Sequence, residues 1–311
     1  MLTRFAAIVV LLGCVPAAVR AQTNPFWHEQ KVRNYLPHMT WPEVRDLLTR
    51  TDMVLIPVPS LEQHGFHAPI GTDYYSGVER AKLIAQKTDI LVTPILYVGQ
   101  SPYHMEFPGS IALSAETIQR VYFEAAQSLM RHGFRRFLFM NSHAGNQYIT
   151  RFIVDRINQE TPAVALELGD AIESLGQSSR RSPEPAAESR AFDRHGGVGE
   201  TSGGLYLFPS LIQLDQARRA TLTHPPHLAK ILPDVAAGDR TAALVFLAEG
   251  LKPKETGKGT SAAEMSTTGV WSERDPGEAT AEQGRRSTEA FVDAAVRFIE
   301  RWKQLRPMAR P

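Results

Sequence analysis

Residues 53–59 read Met53-Val-Leu-Ile-Pro-Val-Pro59, an almost unbroken apolar run. Such a run is typical of a strand that is buried on both faces of a parallel sheet. Similar runs alternate along the chain with segments of helical apolar spacing, which predicts strands at 53–59, 90–95, 136–140 and 163–168 and helices at 76–87, 115–132, 147–159 and 279–302. Strands and helices in alternation predict an α/β fold: a single three-layer α/β/α domain with a mostly parallel sheet.

A dense polar cluster follows the first predicted strand. It reads Glu62-Gln-His-Gly-Phe-His-Ala-Pro-Ile-Gly-Thr-Asp73, with two carboxylates and two imidazoles. Groups just past the carboxyl end of a parallel strand are well placed to converge on a ligand. Imidazole and carboxylate are the usual donors for Zn, Mn or Fe. The cluster therefore indicates a metal site, and the alternative is a polar turn with one hydrogen-bonded histidine.

Two other polar segments are candidates for the same site. Asn141-Ser-His-Ala-Gly-Asn146 follows another apolar strand, so His143 stands at a second strand end. His195-Gly-Gly-Val-Gly-Glu200 places a histidine and a glutamate around three glycines. Each has a plainer interpretation, since Asn or Ser can cap a helix and a glutamate at a helix start favours the helix dipole.

The overall composition points away from nucleic acid. The 311 residues contain 34 Lys and Arg against 33 Asp and Glu, a net charge of +1. Such a balance leaves no electrostatic footprint for nucleic acid or anionic lipid, so we expect a small-molecule partner. Cys14 is the only cysteine. Because Cys14 lies in the amino-terminal segment that we interpret below as a signal peptide, a metal site in the rest of the chain must use histidines and carboxylates.

The amino terminus resembles an export signal. Arg4 precedes an apolar stretch at 5–12, and Val19-Arg-Ala21 offers a cleavage site. This pattern predicts a signal peptide over 1–21, a mature domain over 22–311 and a secreted or periplasmic location. The alternative is a lipoprotein, because Leu11-Leu-Gly-Cys14 resembles a lipobox and acylation of Cys14 would tether the chain to a membrane.

Two segments interrupt the alternation of strands and helices. Residues 173–190 are rich in Ser, Arg, Pro and Glu, which is typical of a mobile surface loop. Residues 224–261 are broken by Pro, Gly and Lys, and we interpret them as an insertion or lid rather than a separate domain.

The three polar segments together resemble the creatininase (creatinine amidohydrolase) family of dinuclear metal amidohydrolases. His104-Met-Glu-Phe-Pro-Gly109 and Thr268-Gly-Val-Trp271 are similar to that family as well, and the resemblance extends over roughly residues 52–300. It implies two divalent metal ions per subunit and a homo-oligomer, usually a hexamer. The implied ligands are Glu62 and His143 on one ion, His64 and Glu200 on the other, and Asp73 as the bridge.

Two positions depart from creatininase proper. There, a metal-binding glutamate stands two residues after the histidine that matches His143, and a tryptophan stands four residues before the one that matches His195. Here these positions are Gly145 and Ala191. The resemblance therefore implies the family's chemistry but leaves creatinine doubtful as the substrate.

The predicted reaction is hydrolysis of a non-peptide C–N bond in a small amide, cyclic amides included. A hydroxide held by the metal ions would attack the carbonyl carbon, because metal binding lowers the pKa of water from about 15.7 to about 7. We expect His195 to protonate the departing nitrogen, since imidazole titrates at about pH 6.5.

Further residues are predicted to surround the metals. We expect His67 to hydrogen-bond a ligand carboxylate, Asn141 to orient a ligand, and Trp271 either to line the substrate pocket or to pack in the core. His104 is expected in a pocket wall. Two other functions fit the same residues: a formamide deformylase or peptidase, and a periplasmic metal- or solute-binding protein without turnover.

Overall fold

The computed structural model describes residues 24, 26, 28–174, 192–224, 226–250 and 262–308. The predicted signal peptide at 1–21, with Cys14, lies outside these residues, as does Ala191. Of the two predicted loop segments, 175–190 and 251–261 also lie outside them.

The main sheet contains four parallel strands in the order β2-β1-β3-β4. They are β1 (Met53–Val58), β2 (Leu91–Val92), β3 (Arg136–Asn141) and β4 (Val164–Glu167). In the register of the two central strands, Met53 pairs with Arg136 and Val58 with Asn141. Strands β1 and β3 therefore end side by side, and the segments that follow them leave the sheet at the same edge.

Strand β1 is buried along its whole length because both faces of the sheet are covered. Met53 and Leu55 point into one hydrophobic cluster, whereas Val54 and Ile56 point into another on the opposite face. Side chains alternate across a strand, so a fully apolar run fits a strand between two layers.

The described part of the chain contains ten α-helices: α1 (Trp41–Leu47), α2 (Thr72–Thr88), α3 (Ala115–His132), α4 (Gln147–Glu160), α5 (Leu168–Ser174), α6 (Val198–Leu207), α7 (Leu232–Ala236), α8 (Arg240–Gly250), α9 (Ala262–Met265) and α10 (Ala281–Leu305). Helices α2 and α10 contribute to the cluster on one face of the sheet, and α3 and α4 to the cluster on the other. This arrangement confirms the predicted three-layer α/β/α fold.

The helix boundaries follow local capping chemistry. Helix α3 begins as predicted, because the Ser114 hydroxyl accepts a hydrogen bond from the Thr117 amide at 3.3 Å. Helix α2 begins at Thr72, four residues before its predicted start, so Asp73 lies in its first turn. Acidic side chains are favourable there because they face the positive end of the helix dipole.

Helix α10 is the longest, with 25 residues, and packs against α2 and α6. Gly284 permits the approach to α6, since a Cβ at this position would lie 1.8 Å from the Ser202 carbonyl oxygen. No helix among the described residues combines the length and the apolar character needed to cross a membrane.

A second, two-stranded sheet joins distant parts of the chain. Strands β5 (Asp193–His195) and β6 (Trp271–Ser272) pair antiparallel, with His195 opposite Trp271. Trp271 lies in a third hydrophobic cluster with Phe192, Phe246 and Met265. The described part of the predicted insertion at 224–261 contains helices α7 and α8. Phe246 of α8 packs in this third cluster.

Candidate metal centre

Six site residues predicted from the sequence converge at one edge of the main sheet. Glu62 and His64 follow β1 and His143 follows β3, so the aligned strand ends bring them together. Asp73 reaches them from the first turn of α2. Glu200 comes from the first turn of α6, and His195 ends β5.

Asp73 lies between two histidines, with one carboxylate oxygen near each of them. Its Oδ1 is 3.4 Å from His64 Nε2, and its Oδ2 is 3.3 Å from His143 Nδ1. Glu62 Oε1 lies 3.2 Å from the same nitrogen of His143, and Glu200 Oε2 lies 3.5 Å from His64 Nε2. Two sets of donor atoms therefore share the Asp73 carboxylate. One set comes from Glu62 and His143, and the other from His64 and Glu200.

Both histidine rings are oriented by backbone carbonyl groups. His64 Nδ1 lies 3.0 Å from the Glu62 carbonyl oxygen, and His143 Nε2 lies 3.0 Å from that of Gln100. A carbonyl oxygen only accepts, so these nitrogens carry the ring hydrogens. The other nitrogen of each ring faces the carboxylates, and it would bind a metal ion once its proton has left.

The donor atoms fit divalent metal ions. His64 Nε2 and Asp73 Oδ2 are buried and have no hydrogen-bond partner among the described residues. Buried polar atoms are rarely left unsatisfied, and a cation would satisfy both. Two ligand atoms about 2.1 Å from one ion lie about 3.4 Å apart at a tetrahedral angle, which matches the separations around Asp73.

The electrostatics of the protein groups in this centre also favour cations. Burial alone would lower the pKa of His64, but Asp73 and Glu200 raise it to about 10. Burial opposes protonation of His143 too, yet Glu62 raises its pKa well above the ordinary value. Burial raises the pKa of Glu200 to about 7 although its side chain remains 39% exposed. The centre attracts positive charge, and water reaches it beside Glu200.

His195 lies at the rim of this centre. Its Nδ1 is 3.5 Å from Glu62 Oε1, and its Nε2 is 2.6 Å from the Gln63 carbonyl oxygen. Burial, together with His64 and His104, holds the pKa of His195 well below its ordinary value. A neutral ring with its hydrogen on Nε2 presents the Nδ1 lone pair to the centre.

His104 is a site residue that the sequence placed only in a pocket wall. It is buried, its ring stacks on His195 at 4.5 Å, and its Nε2 lies 3.6 Å from Glu62 Oε1. Burial lowers the pKa of His104 to about 4. His104 belongs to a 3-10 turn (Pro102–His104) and follows no strand, so the strand-end pattern that identified the other histidines does not include it.

The three predicted supporting residues have different surroundings. His67 Nε2 lies 2.8 Å from the Thr201 hydroxyl, next to Glu200 in sequence, rather than at a ligand carboxylate. Asn141 Oδ1 accepts a hydrogen bond from the His143 backbone amide at 3.1 Å. Trp271 is buried in the third hydrophobic cluster, which agrees with the expectation that it packs in the core rather than with the one that it lines the substrate pocket.

Two polar residues that the sequence did not single out, Ser101 and Tyr103, also support the centre, together with Asn146 of the predicted polar segment after β3. Ser101 donates a hydrogen bond to Glu62 Oε2. Tyr103 places its hydroxyl 3.2 Å from His143 Nε2. The Asn146 side chain donates to the Pro59 carbonyl at 2.9 Å and accepts from the Gln100 amide at 2.9 Å, which joins the strand end to the loop.

Gly145 has no room for a side chain in this structure. A Cβ there would lie 2.4 Å from both His143 Nε2 and the Tyr103 hydroxyl, and 2.5 Å from the Gln100 carbonyl oxygen. A glutamate at this position would collide with all three atoms. Glu200 is the carboxylate that reaches His64 instead.

Comparison with known proteins supports one family. The model of the creatininase family (creatinine amidohydrolase) matches residues 37–299. Creatinine amidohydrolase from Pseudomonas putida is 30% identical over 210 residues, covering 62% of this chain and 77% of that protein. Mycofactocin precursor peptide peptidase from Mycobacterium tuberculosis (strain H37Rv) is 30% identical over 259 residues, covering 80% of this chain and 85% of that protein.

Solved structures of creatininases share the fold. A creatininase structure with Mn superposes with a TM-score of 0.63 at 23% identity, covering 90% of this chain and 100% of that one. A Zn-Zn form of a creatininase mutant gives a TM-score of 0.62 at 22% identity, covering 88% and 99%. Because the family model spans most of its length, the chain belongs to the creatininase family of hydrolases.

Proposed function

We propose that the protein is a dinuclear metal-dependent amidohydrolase that cleaves a non-peptide C–N bond of a small amide, cyclic amides included. The observation that carries this proposal is the Asp73 carboxylate, whose two oxygens face His64 and His143 at 3.4 and 3.3 Å. One carboxylate shared between two histidines is the arrangement that a bridging ligand of two ions needs.

Each protein ligand has a stated place in the proposal. Glu62, His143 and Asp73 would hold one ion, and His64, Glu200 and Asp73 the other. Mixed nitrogen and oxygen donors suit Zn, Mn or Fe. When bound, the two ions would polarise the amide carbonyl and lower the pKa of water from about 15.7 towards about 7.

His195 would move the proton. Its Nδ1 is unprotonated and faces the centre, so it can take a proton from the attacking water and pass it to the departing nitrogen. An amide nitrogen leaves poorly without that proton. The transfer of one proton by the same atom in both directions gives His195 the role of base and then acid.

A metal-replete screen tests the proposal. The chelated protein would be reloaded with Zn, Mn or Fe and given creatinine, lactams, hydantoins and formamides, with bound metal measured by plasma emission. We expect hydrolysis of at least one amide that requires metal, and two ions per chain. Full loading without release of amine or ammonia from any amide would instead support a metal- or solute-binding protein.

A peptidase is the second candidate, because the mycobacterial peptide peptidase matches 80% of this chain. A formamide deformylase is a further possibility on the same metals. Short peptides and formylated amines in the same screen separate these activities from lactam hydrolysis. Faster cleavage of a peptide than of any small amide would overturn the non-peptide assignment and retain the metal centre.

Location and assembly form a separate part of the proposal. We propose that the chain is exported and that it acts as a homo-oligomer, a hexamer by resemblance to its family, on a small molecule rather than on nucleic acid. Light scattering coupled to gel filtration tests the assembly. A monomer at micromolar concentration would contradict it.

A further inference from the structure

The side-chain amide of Gln63 is held in one orientation. Its Oε1 accepts a hydrogen bond from the Gly65 amide at 2.9 Å, and its Nε2 donates to the Gly269 carbonyl at 2.9 Å. Rotating the amide by 180° would place its oxygen against the Gly269 carbonyl oxygen and its N–H groups against the Gly65 N–H. The atom that faces the two neighbouring histidines is therefore the nitrogen, with its two hydrogens.

Those two hydrogens have three neighbouring atoms. Besides the Gly269 carbonyl, Gln63 Nε2 lies 3.0 Å from His195 Nε2 and 3.1 Å from His104 Nδ1. His195 Nε2 is already 2.6 Å from the Gln63 backbone carbonyl oxygen, which only accepts. That nitrogen therefore carries a hydrogen and cannot accept another. The second amide hydrogen goes to His104 Nδ1.

This bond determines the tautomer of His104. A nitrogen that accepts from Gln63 has no hydrogen, so the ring is neutral and its hydrogen is on Nε2. His104 Nε2 points to the centre, 3.6 Å from Glu62 Oε1, which is longer than a hydrogen bond. Among the described residues it has no hydrogen-bond acceptor.

The two stacked histidines thus offer opposite groups to the centre. His195 Nδ1 presents a lone pair and His104 Nε2 presents an N–H, at 3.5 and 3.6 Å from the same oxygen of Glu62. A nitrogen that carries a hydrogen is not a metal ligand. Glu62, His104 and His195 lie close enough together to hold an ion, but this tautomer of His104 is unsuited to it.

We infer that His104 donates a hydrogen bond from Nε2 to the carbonyl oxygen of the bound amide, and that Gln63 is the positioning residue that keeps the hydrogen there. This inference rests on the proposed function, since it assigns a contact of the same substrate. As water adds to the carbonyl carbon, negative charge develops on that oxygen. Removal of one donor to such an oxygen lowers kcat by about 10²–10³-fold.

Nitrogen NMR tests the tautomer without substrate or metal. In metal-free protein labelled with [¹⁵N]histidine, His104→Leu identifies the His104 signals by their loss. We expect the wild-type ring to be protonated on Nε2 alone. Gln63→Met removes the donor, and the His104 signals should shift towards a mixture of both tautomers. A wild-type ring protonated on Nδ1 would overturn the inference.

Kinetics test the contact on the amide that the screen finds best. His104→Leu should retain its metal and lower kcat about 100- to 1000-fold, whereas His104→Gln, which keeps an N–H donor, should recover at least about tenfold of that loss. His132→Ala, at the exposed end of α3, is the matched control. A His104→Leu kcat within threefold of wild type would overturn the inference.

The two proposals can fail separately. If metal-loaded wild type hydrolyses no amide, the proposed function is wrong, and the NMR experiment still decides the His104 tautomer. If wild type is active and the His104 variants match it, the function stands and His104 has no part in it.

Discussion

At the scale of single residues, His64, His143 and His195 are all oriented by hydrogen bonds to backbone carbonyl oxygens. Each turns one ring nitrogen to a backbone carbonyl oxygen, of Glu62, Gln100 and Gln63 respectively, and the other nitrogen to the carboxylates. Because a carbonyl only accepts, the backbone determines which ring nitrogen faces the carboxylates. These nitrogens are therefore oriented before any ion binds, which reduces the cost of ordering the ligands.

Replacement of the shared carboxylate should remove both ions at once. In Asp73→Asn the amide retains the shape of the side chain but loses the charge beside His64 and His143. We expect plasma emission to find less than half an ion per chain and turnover to fall to background. Asp293→Asn, at an exposed position on α10, is the control. Two ions retained by Asp73→Asn would contradict the bridging role.

Replacement of His195 should separate chemistry from metal binding. His195→Ala removes the proton-transferring Nδ1 but none of the proposed ligands. Metal content should stay at two ions, and kcat should fall by about 10²–10⁴-fold, the usual contribution of general acid–base catalysis. Loss of an ion in this variant would show that His195 is a ligand instead.

Metal binding should release protons near neutral pH. The carboxylates raise the pKa of His64 to about 10 and that of His143 above its ordinary value, so both rings are protonated in the metal-free protein at pH 7. A ligand must be deprotonated, so affinity should rise with pH and fall on acidification. Titration calorimetry in two buffers of different ionisation enthalpy should give a release of at least about two protons, one from each ring, with a further fraction from Glu200, whose pKa is about 7. Equal heats in both buffers would contradict this.

At the scale of elements, the site depends on where strands end and helices begin. The apolar run at 53–59 and the polar groups after it were local signals, so β1, β3 and the residues Glu62, His64 and His143 could be predicted. His104 was expected only in a pocket wall, and the orientation of the Gln63 amide could not be predicted, because both depend on contacts with His195 and Gly269, which are far away in sequence. The start of α2 was misplaced by four residues, because its N-cap is Gly71, which has no side chain to mark the boundary.

The contact between α10 and α6 should be intolerant of a methyl group. Gly284→Ala would place Cβ 1.8 Å from the Ser202 carbonyl oxygen, and backbone cannot rotate away as a side chain can. We expect a loss of about 1–3 kcal/mol in the free energy of unfolding, measured by urea denaturation. Gly199→Ala, where the nearest atom is at 3.4 Å, should cost less. Equal stability of the two variants would contradict the close packing.

At the scale of the whole molecule, a nearly neutral chain presents a centre that is locally acidic. The net charge of the chain is +1, yet three carboxylates, of Glu62, Asp73 and Glu200, converge in one place. Composition gives no reason to expect a nucleic-acid partner, but it could not reveal this local field. The field arises because the fold gathers carboxylates from separate polar segments of the chain, which the motifs indicated and the net charge did not.

Export should leave a shortened chain. Expressed with residues 1–21 in a Gram-negative host, the protein should appear in the periplasm, and mass spectrometry should find a chain that begins at Gln22. Cys14→Ser should be exported equally well, because simple cleavage does not need the thiol. A lipid-modified Cys14 in the membrane fraction would establish the lipoprotein alternative instead.

The two sheets position different parts of the site. Glu62, His64 and His143, which are proposed to bind the metal ions, follow strands of the large sheet, and Asp73 and Glu200 lie in the first turns of α2 and α6. His195 instead belongs to β5 of the small sheet, next to the hydrophobic cluster that includes α8. Phe246 of α8 packs in the same cluster as Trp271, which pairs with His195, so substitutions in α8 can shift His195 while the residues proposed to bind the metal ions keep their positions. Laboratory evolution of new specificities should accumulate changes in that helix first.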